Sequence, residues 1–396
     1  MRSLTPARAT AVLAGVALAV VATGPAFAAE NIGTVQHAES PTAVAGSYVV
    51  TLKDGKQVDQ ATANRLAGLY GGSVSHVFGH AVEGFSATLS ARQAARLAAN
   101  PAIASVEADQ TVHITDTQSS APWGLDRIDQ TALPLSGTYT YGPSSGTTVY
   151  VIDTGILTTH TDFGGRAGYG YDFVEGDSTA QDGNGHGTFV AAVAVGSTYG
   201  VAKSANVVGV RVLDSSGSGT TSGVISGIDW VTANAVAGKS VANLSLGGST
   251  SSTLDAAVTR SIAAGIPYAI AAGNSGVDAS TTSPARVAAA LTVGATSSTD
   301  AKASWSNYGS VLDLFAPGVS ITSAWRTSTT ATYTGSGTSF ASPHVAGAAA
   351  LYLAAHSGAS VATVNAAIVA AATSGVVTSA GTGSPNKLLY TPSLSS

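Results

Sequence analysis

"TTVYVID", residues 147–153, contains four consecutive strand-forming residues, Val149 to Ile152, with no charged or small polar residue among them. A half-buried strand alternates apolar and polar positions, whereas an unbroken apolar run implies that both faces are covered. Five further runs have this texture: "NVVGVRVL" (206–213), "SVANLSL" (240–246), "PYAIAAG" (267–273), "AALTVGAT" (289–296) and "VLDLFAPG" (311–318). Helix-like segments separate several of them, including "HGTFVAAVAVG", "TSGVISGIDWVTANAVAGK" and "LDAAVTRSIAAG". This alternation predicts an α/β fold with a mostly parallel central sheet covered by helices on both faces.

The N-terminal third reads differently. "MRSLTPAR" supplies two arginines, "ATAVLAGVALAVVATG" an apolar core, and Ala26 and Ala28 an A-x-A site. This is the layout of a secretory signal peptide over residues 1–28, and the apolar run is short for a membrane anchor. Residues 30–45 read as a leader. From 47 to 114 the order is strand ("SYVVTL"), helix ("QVDQATANRLAGLYGG"), a strand–turn–strand segment, a second helix ("SARQAARLAANP") and a last strand. Ser90 is a candidate cap for that second helix and Pro101 a stop. The β-α-β-β-α-β order is that of a small ferredoxin-like α+β domain.

Composition narrows the function. The 396 residues suffice for two or three domains; 44% are hydrophobic and only 10% charged, so a large core can form. A net charge of −5 provides no basic footprint for nucleic acid. Without cysteine there is no disulfide, thiolate metal site or cysteine nucleophile.

Ligands of parallel α/β sheets bind beyond the carboxyl ends of the strands. Asp153 follows the first strand, where it is either a helix cap or a functional acid. His186 stands between glycines at a helix start, as a catalytic base, a cap or a solvated loop residue. Among the other histidines beyond residue 115, His344 is nearly on the far face of a helix from Ser339, His160 lies in a polar loop, and His356 lies far along the last helix. Asn274 follows another buried strand, as a turn residue or an amide donor to an oxyanion. In "GSGTSFASPHVAG" (335–347), Ser339 is a nucleophile at a helix start or part of a Gly/Ser loop feeding a buried helix. Each element alone is weak; the order Asp153, His186, Asn274, Ser339 is specific, since Asp…His…Ser is the order found in subtilisins.

From these residues the chain resembles the subtilisin-like serine proteases, in their proteinase K branch. The blocks that carry the resemblance are "APWGLDRID", "VYVIDTGI", "DGNGHGT", "GVRVLDSSGSGT", "NLSLGG", "AAGNSG", "SNYGSVLDLFAPG" and "GTSFASPHVAG", spanning about residues 118–350. The segment 47–114 resembles the inhibitory propeptide of that family. The resemblance implies a subtilisin-like three-layer sandwich over residues 116–396, preceded by a ferredoxin-like propeptide at 29–115 that acts as intramolecular chaperone and inhibitor. It implies a secreted, monomeric endopeptidase, made as an autoprocessed zymogen and free of membrane once the signal is removed. Ser339 would attack the scissile carbonyl of a protein or peptide substrate, His186 would relay the proton, Asp153 would hold the imidazole, and Asn274 with the Ser339 N–H would bind the oxyanion. Gly217, Ser218 and Gly219, and Ser245, Leu246, Gly247 and Gly248, would pair with extended substrate. The small Ala271 and Gly273 suit a roomy pocket and an apolar or aromatic P1 residue.

The resemblance also implies structural Ca²⁺, at Asp126, Asp129 and Gln130, and at Asp313 with the carbonyls of Ala288 and Ala290; oxygen-only ligands suit this ion. For Asp126 and Asp129 a solvated helix face is the competing expectation. Two departures stand out: Phe189 and Ala192 in "HGTFVAA" replace the family's usual "HGTHVAG", and Phe340 replaces the usual Met after the nucleophile. A secreted esterase on a doubly wound sheet would need G-x-S-x-G and another chain order, and neither is present. An inactive peptide-binding relative remains the non-enzymatic reading, against four filled catalytic positions.

Overall fold

The computed structural model describes residues 31–40, 43–53, 58–79, 82–110 and 116–395. The expected signal segment, most of the "KDGK" turn and the last residues of the expected propeptide lie outside them. The chain forms two units, Met1–Thr111 and Val112–Ser396.

In the first unit the elements are β1 (Ala43–Leu52), α1 (Gln60–Gly68), β2 (Ser73–Phe78), β3 (Gly84–Thr88), α2 (Ala91–Ala98) and β4 (Ile103–Gln110). The strands form an antiparallel sheet in the order β2-β3-β1-β4, the ferredoxin-like arrangement expected from the sequence. Val50, Phe85 and Val106 join Leu66 and Leu97 of the helices in one buried core. Ser90 caps α2: its hydroxyl accepts from Gln93 N–H, and the Gln93 carboxamide accepts from Ser90 N–H at 2.7 Å. This reciprocal box satisfies two N–H groups that the helix itself leaves unpaired.

The second unit begins with β5 (Asp116–Ser119), α3 (Trp123–Ile128) and β6 (Thr138–Tyr141). Then come β7 (Thr148–Asp153), β8 (Ala167–Asp172), α4 (His186–Val195), β9 (Asn206–Arg211), α5 (Thr221–Asn234) and β10 (Ser240–Leu244). Next are β11 (Gly248–Ser249), α6 (Ser252–Ala263), β12 (Tyr268–Ala271), β13 (Thr282–Ser283), β14 (Leu291–Thr296) and β15 (Leu314–Pro317). The hairpin β16 (Ile321–Ala324) and β17 (Thr332–Gly335) precedes α7 (Thr338–Ala355), α8 (Val361–Ala371), β18 (Thr373–Ser374) and β19 (Lys387–Leu388). Nine strands form the central sheet in the order β18-β19-β15-β14-β12-β10-β7-β9-β8. All its pairings are parallel except β18 with β19.

The apolar runs become the sheet because each strand buries both faces. In β7, Val149 and Val151 join the core formed with α4, α7 and α8. Tyr150 and Ile152 point the other way, into the core formed with α5 and α6. The first turn of α7 is buried apart from Ser339, and the helix is buried on all sides through Leu353, as a central helix rich in alanine can be. Strand β8, the two-residue strands β18 and β19, and the hairpins β5–β6 and β16–β17 are not expected from apolar runs. β8, "AGYGYD", lies at the sheet edge and is buried only at Asp172, so it needs no continuous apolar sequence.

Candidate active site

Asp153 ends β7 at the carboxyl edge of the sheet, and His186 opens α4. The two elements meet through glycine: a Cβ on Gly187 would lie 2.1 Å from the Gly155 carbonyl oxygen, and Gly155 itself has φ +102°. That contact brings the two side chains together. His186 Nδ1–H donates to Asp153 Oδ1 at 2.8 Å, and the same oxygen accepts from Thr154 N–H at 2.7 Å. With the Nδ1 proton on this bond, Nε2 carries the lone pair. Asp153 is fully buried, whereas a quarter of the His186 side chain is exposed. Burial pulls the basicity of His186 down, but the charge and hydrogen bond of Asp153, with the charge of Asp182, outweigh it and leave the imidazole more basic than usual.

Asp182 is a residue that sequence reasoning missed. Its buried carboxylate accepts from the N–H groups of Asn184, Gly185 and Thr188 and from the hydroxyls of Thr154 and Thr188. Thr154 Oγ1 in turn accepts from Gly187 N–H at 2.9 Å. These bonds satisfy the free N–H groups at the start of α4 and strap it to the end of β7. Asp182 stands four residues before α4, outside the cap position that Gly185 occupies, so no helix-start signal in the sequence marks it.

Ser339 is the second residue of α7. Its hydroxyl donates to the Ser245 carbonyl at 3.1 Å, and among the described residues no hydrogen bond joins it to His186. Both residues line one cleft, and catalytic hydrogen bonds often tighten only with substrate present. Asn274 lines the same cleft. Its Oδ1 accepts from both the N–H and the hydroxyl of Thr338, each at 2.8 Å, which fixes the amide and leaves its N–H₂ for a ligand. Thr338 Oγ1 also accepts from Gly273 N–H at 3.0 Å. Among the other histidines, His160 Nε2 sits 2.9 Å from the Ala331 carbonyl oxygen. His344 is buried with Nδ1 2.8 Å from the Phe340 carbonyl oxygen, and burial pushes its pKa down to about 4.

The cleft has a volume of about 1220 Å³. Gly217, Ser218 and Gly219 line one side and Ser245, Leu246, Gly247 and Gly248 another, with Ala271 and Gly273 also in the wall. Every expected substrate-contacting residue therefore reaches one space. Asp214 shapes the first segment by accepting from Ser216 N–H at 2.8 Å and Ser218 N–H at 3.0 Å.

The metal candidates fall in two places. The Asp126 carboxylate is engaged by Ser136 and Gly137 N–H groups and the Ser136 hydroxyl, and Asp129 accepts from Thr140 N–H at 2.7 Å. Gln130 Oε1 accepts from Ser136 N–H, and its Nε2 donates to the carbonyls of Ala132 and Pro134. Asp126 is buried, which replaces the solvated helix face with a carboxylate tied into a loop. Asp313, Ala288 and Ala290 line a separate pocket of about 410 Å³ together with Asn365, whose Oδ1 is buried without a hydrogen-bond partner. Burial raises the Asp313 pKa to about 6 against the opposing hydrogen bond from Thr292 N–H. A half-buried carboxylate and an orphaned amide oxygen are donors of the kind that fits Ca²⁺. No group of three or more His, Asp or Glu side chains is assembled among the described residues, so a cation here would depend on carbonyl and amide oxygens.

Comparison with known proteins bears on this geometry. Residues 144–388, more than half of the chain, match the subtilase family of peptidases. The chain belongs to the subtilase family. Residues 47–115 of this subtilase match peptidase inhibitor I9, so an inhibitory domain precedes the peptidase domain and the protein is a serine protease made as a zymogen. The subtilase is 48% identical to an extracellular serine proteinase of a Thermus species, over 95% of this chain and 96% of that one. It is 50% identical to proteinase T of Parengyodontium album, over 63% of this chain and 85% of that one. A crystal structure of a cold-adapted subtilisin-like serine proteinase matches with a TM-score of 0.67 and 53% identity, covering 69% of the subtilase and 99% of that chain. The expected subtilisin-like architecture behind a propeptide domain is therefore borne out.

Proposed function

We propose that this subtilase is a secreted endopeptidase in which Ser339 is the nucleophile, His186 the general base and acid, Asp153 the group that holds the imidazole, and Asn274 an oxyanion donor. The observation that carries the reading is the His186–Asp153 hydrogen bond of 2.8 Å in the cleft that Ser339 and Asn274 also line. In the reaction the Ser339 hydroxyl leaves the Ser245 carbonyl and gives its proton to His186 Nε2 as Oγ adds to the scissile carbonyl carbon. The resulting oxyanion takes hydrogen bonds from Asn274 Nδ2 and Ser339 N–H. His186 then protonates the leaving amine, the acyl-enzyme forms, and water repeats the sequence in reverse.

The proposed segments are a signal peptide at 1–28, a propeptide at 29–115 with its folded core at about 47–114, and a monomeric catalytic domain at 116–396. Export is supported by the A-x-A site at Ala26 and Ala28 and by the Thermus relative, which is named extracellular. Broad specificity is supported by a cleft walled largely by backbone and small side chains, since pairing through main chain is indifferent to substrate side chains. Space beside Ala271 and Gly273 favours an apolar or aromatic P1 residue. Structural Ca²⁺ would be held by Asp313, the carbonyls of Ala288 and Ala290 and Asn365, or by Asp126, Asp129 and Gln130; it would neutralise the carboxylates it binds and take no part in the chemistry.

Intact-mass measurement of the secreted protein tests the reading. Native protein loses residues up to about 113–118, whereas Ser339→Ala stays at pro-form length and does not clear casein. Normal trimming of Ser339→Ala by itself would overturn the assignment, and a strict basic P1 preference in a peptide library would overturn the specificity.

A further inference from the structure

Pro343 stands inside α7, four residues after Ser339. In an α-helix the carbonyl of residue i accepts from the N–H of residue i+4; proline has no N–H, and its ring crowds the carbonyl four residues back. The Ser339 carbonyl is therefore deprived of its helical donor at the residue proposed as nucleophile. The missing donor comes from another element: Ser245 Oγ–H donates to the Ser339 carbonyl at 2.7 Å. Ser339 Oγ donates back to the Ser245 carbonyl, so the two residues are joined twice.

The Ser245 hydroxyl is itself aligned. Asn243 Nδ2–H donates to Ser245 Oγ at 2.9 Å, and Asn243 Oδ1 accepts from Ser342 Oγ–H at 2.7 Å. Asn243 and Ser342 are fully buried and Ser245 is nearly so. The chain of donors runs from Ser342 through Asn243 and Ser245 to the Ser339 carbonyl, and the Asn243 carboxamide is held at both ends. It links the end of β10, which leads into the substrate-lining segment, to the first turn of α7.

We propose that Ser245 is a positioning residue for the nucleophile: its hydroxyl, oriented by Asn243, replaces the helical donor that Pro343 removes and so sets the direction of Ser339 Oγ and N–H. The inference rests on Ser339 being the nucleophile. Pro343 frees the carbonyl, and Ser245 uses it to anchor the start of the helix to the sheet. Small misplacements of a reacting atom are costly in rate, so the effect belongs in kcat and not in KM.

A double-mutant cycle on the full chain separates this role from general packing. Ser245→Ala is expected to lower kcat by about tenfold or more while KM stays within about twofold. In a Pro343→Ala background, residue 343 again offers an N–H to the Ser339 carbonyl, and adding Ser245→Ala is expected to cost about threefold or less. Ser245→Thr, which keeps the donor, should retain clearly more of kcat than its near-isostere Ser245→Val, which should behave like Ser245→Ala. The rate of propeptide release is a second readout for any variant that accumulates unprocessed, and Pro343→Ala should restore it to Ser245→Ala. Equal loss in both backgrounds, a kcat for Ser245→Ala within twofold of native, or failure of the double variant to recover processing would overturn the proposal. Ser339→Ala, run alongside, tests the nucleophile by itself: substantial residual turnover there removes that reading, whatever Ser245 does.

Discussion

Replacing Asp182 with asparagine attacks the strap between β7 and α4. Asp182 Oδ1 accepts from Thr154 Oγ1 at 2.9 Å and from the N–H groups of Asn184 and Gly185, each at 2.8 Å. Asp182 Oδ2 accepts from Thr188 N–H at 2.9 Å and Thr188 Oγ1 at 2.5 Å. Asparagine keeps a single acceptor oxygen. With that oxygen on the Oδ1 side, its N–H₂ opposes Thr188 N–H, which is left buried and unpaired, and the remaining bonds lose their charge. A buried orphaned donor costs about 1–3 kcal/mol, and hydrogen bonds to charged groups contribute about 1.5–3 kcal/mol against about 1 for neutral ones. A loss of roughly 3 kcal/mol in stability follows, corresponding to a fall in Tm of roughly 6–12 °C. The measurement uses enzyme blocked at Ser339 with a sulfonyl fluoride, so that autolysis does not intervene.

The same substitution changes the pH profile. In the proposed mechanism His186 must be neutral to accept the Ser339 proton, and its basicity is raised overall, so the acid limb of kcat/KM in the native enzyme is expected above 6.5, the ordinary imidazole value. Asp182 contributes to that rise, so Asp182→Asn should move the limb to lower pH. An unchanged Tm, or a limb displaced to higher pH, would refute the assignment of Asp182 as the charged strap behind the histidine.

Asp153→Asn presents an amide to His186 Nδ1 and favours the wrong tautomer, so kcat should fall by roughly 10⁴ with little change in KM; steady-state kinetics on a chromogenic peptide check this. Chelation by EDTA should lower Tm, restored by Ca²⁺ but not by Mg²⁺, and Asp313→Asn should blunt that response; an EDTA-insensitive Tm removes structural calcium. Activity should survive dilute peroxide, because Phe340, packed against Phe189 and 5.6 Å from the His186 ring, carries no sulfur and the only methionine is Met1; rapid inactivation would contradict this.

The six inner strands of the central sheet were legible because burial on both faces writes itself into consecutive residues, as in "TTVYVID" and β7. Ser90 was legible as a cap because its partner, Gln93, is three residues away. β8 was not, because an edge strand half open to solvent needs no apolar run. Nor was the Ser339 hydroxyl's bond to the Ser245 carbonyl rather than to His186, since the two serines are 94 positions apart.

What the sequence by itself determined were the chemical types and the order of the site: an acid after a strand, a histidine and a serine at helix starts, an asparagine after another strand. These are local facts, fixed by which residues follow a buried strand or open a helix. Only the tertiary structure decided how those groups are aimed. Asp182 and Thr154 strap the histidine's helix, Thr338 turns the Asn274 amide, and Ser245 takes over the donor that Pro343 lacks. Direction at an active site depends on hydrogen bonds between elements distant in the chain, and such bonds exist only once the sheet has brought those elements within 3 Å of one another.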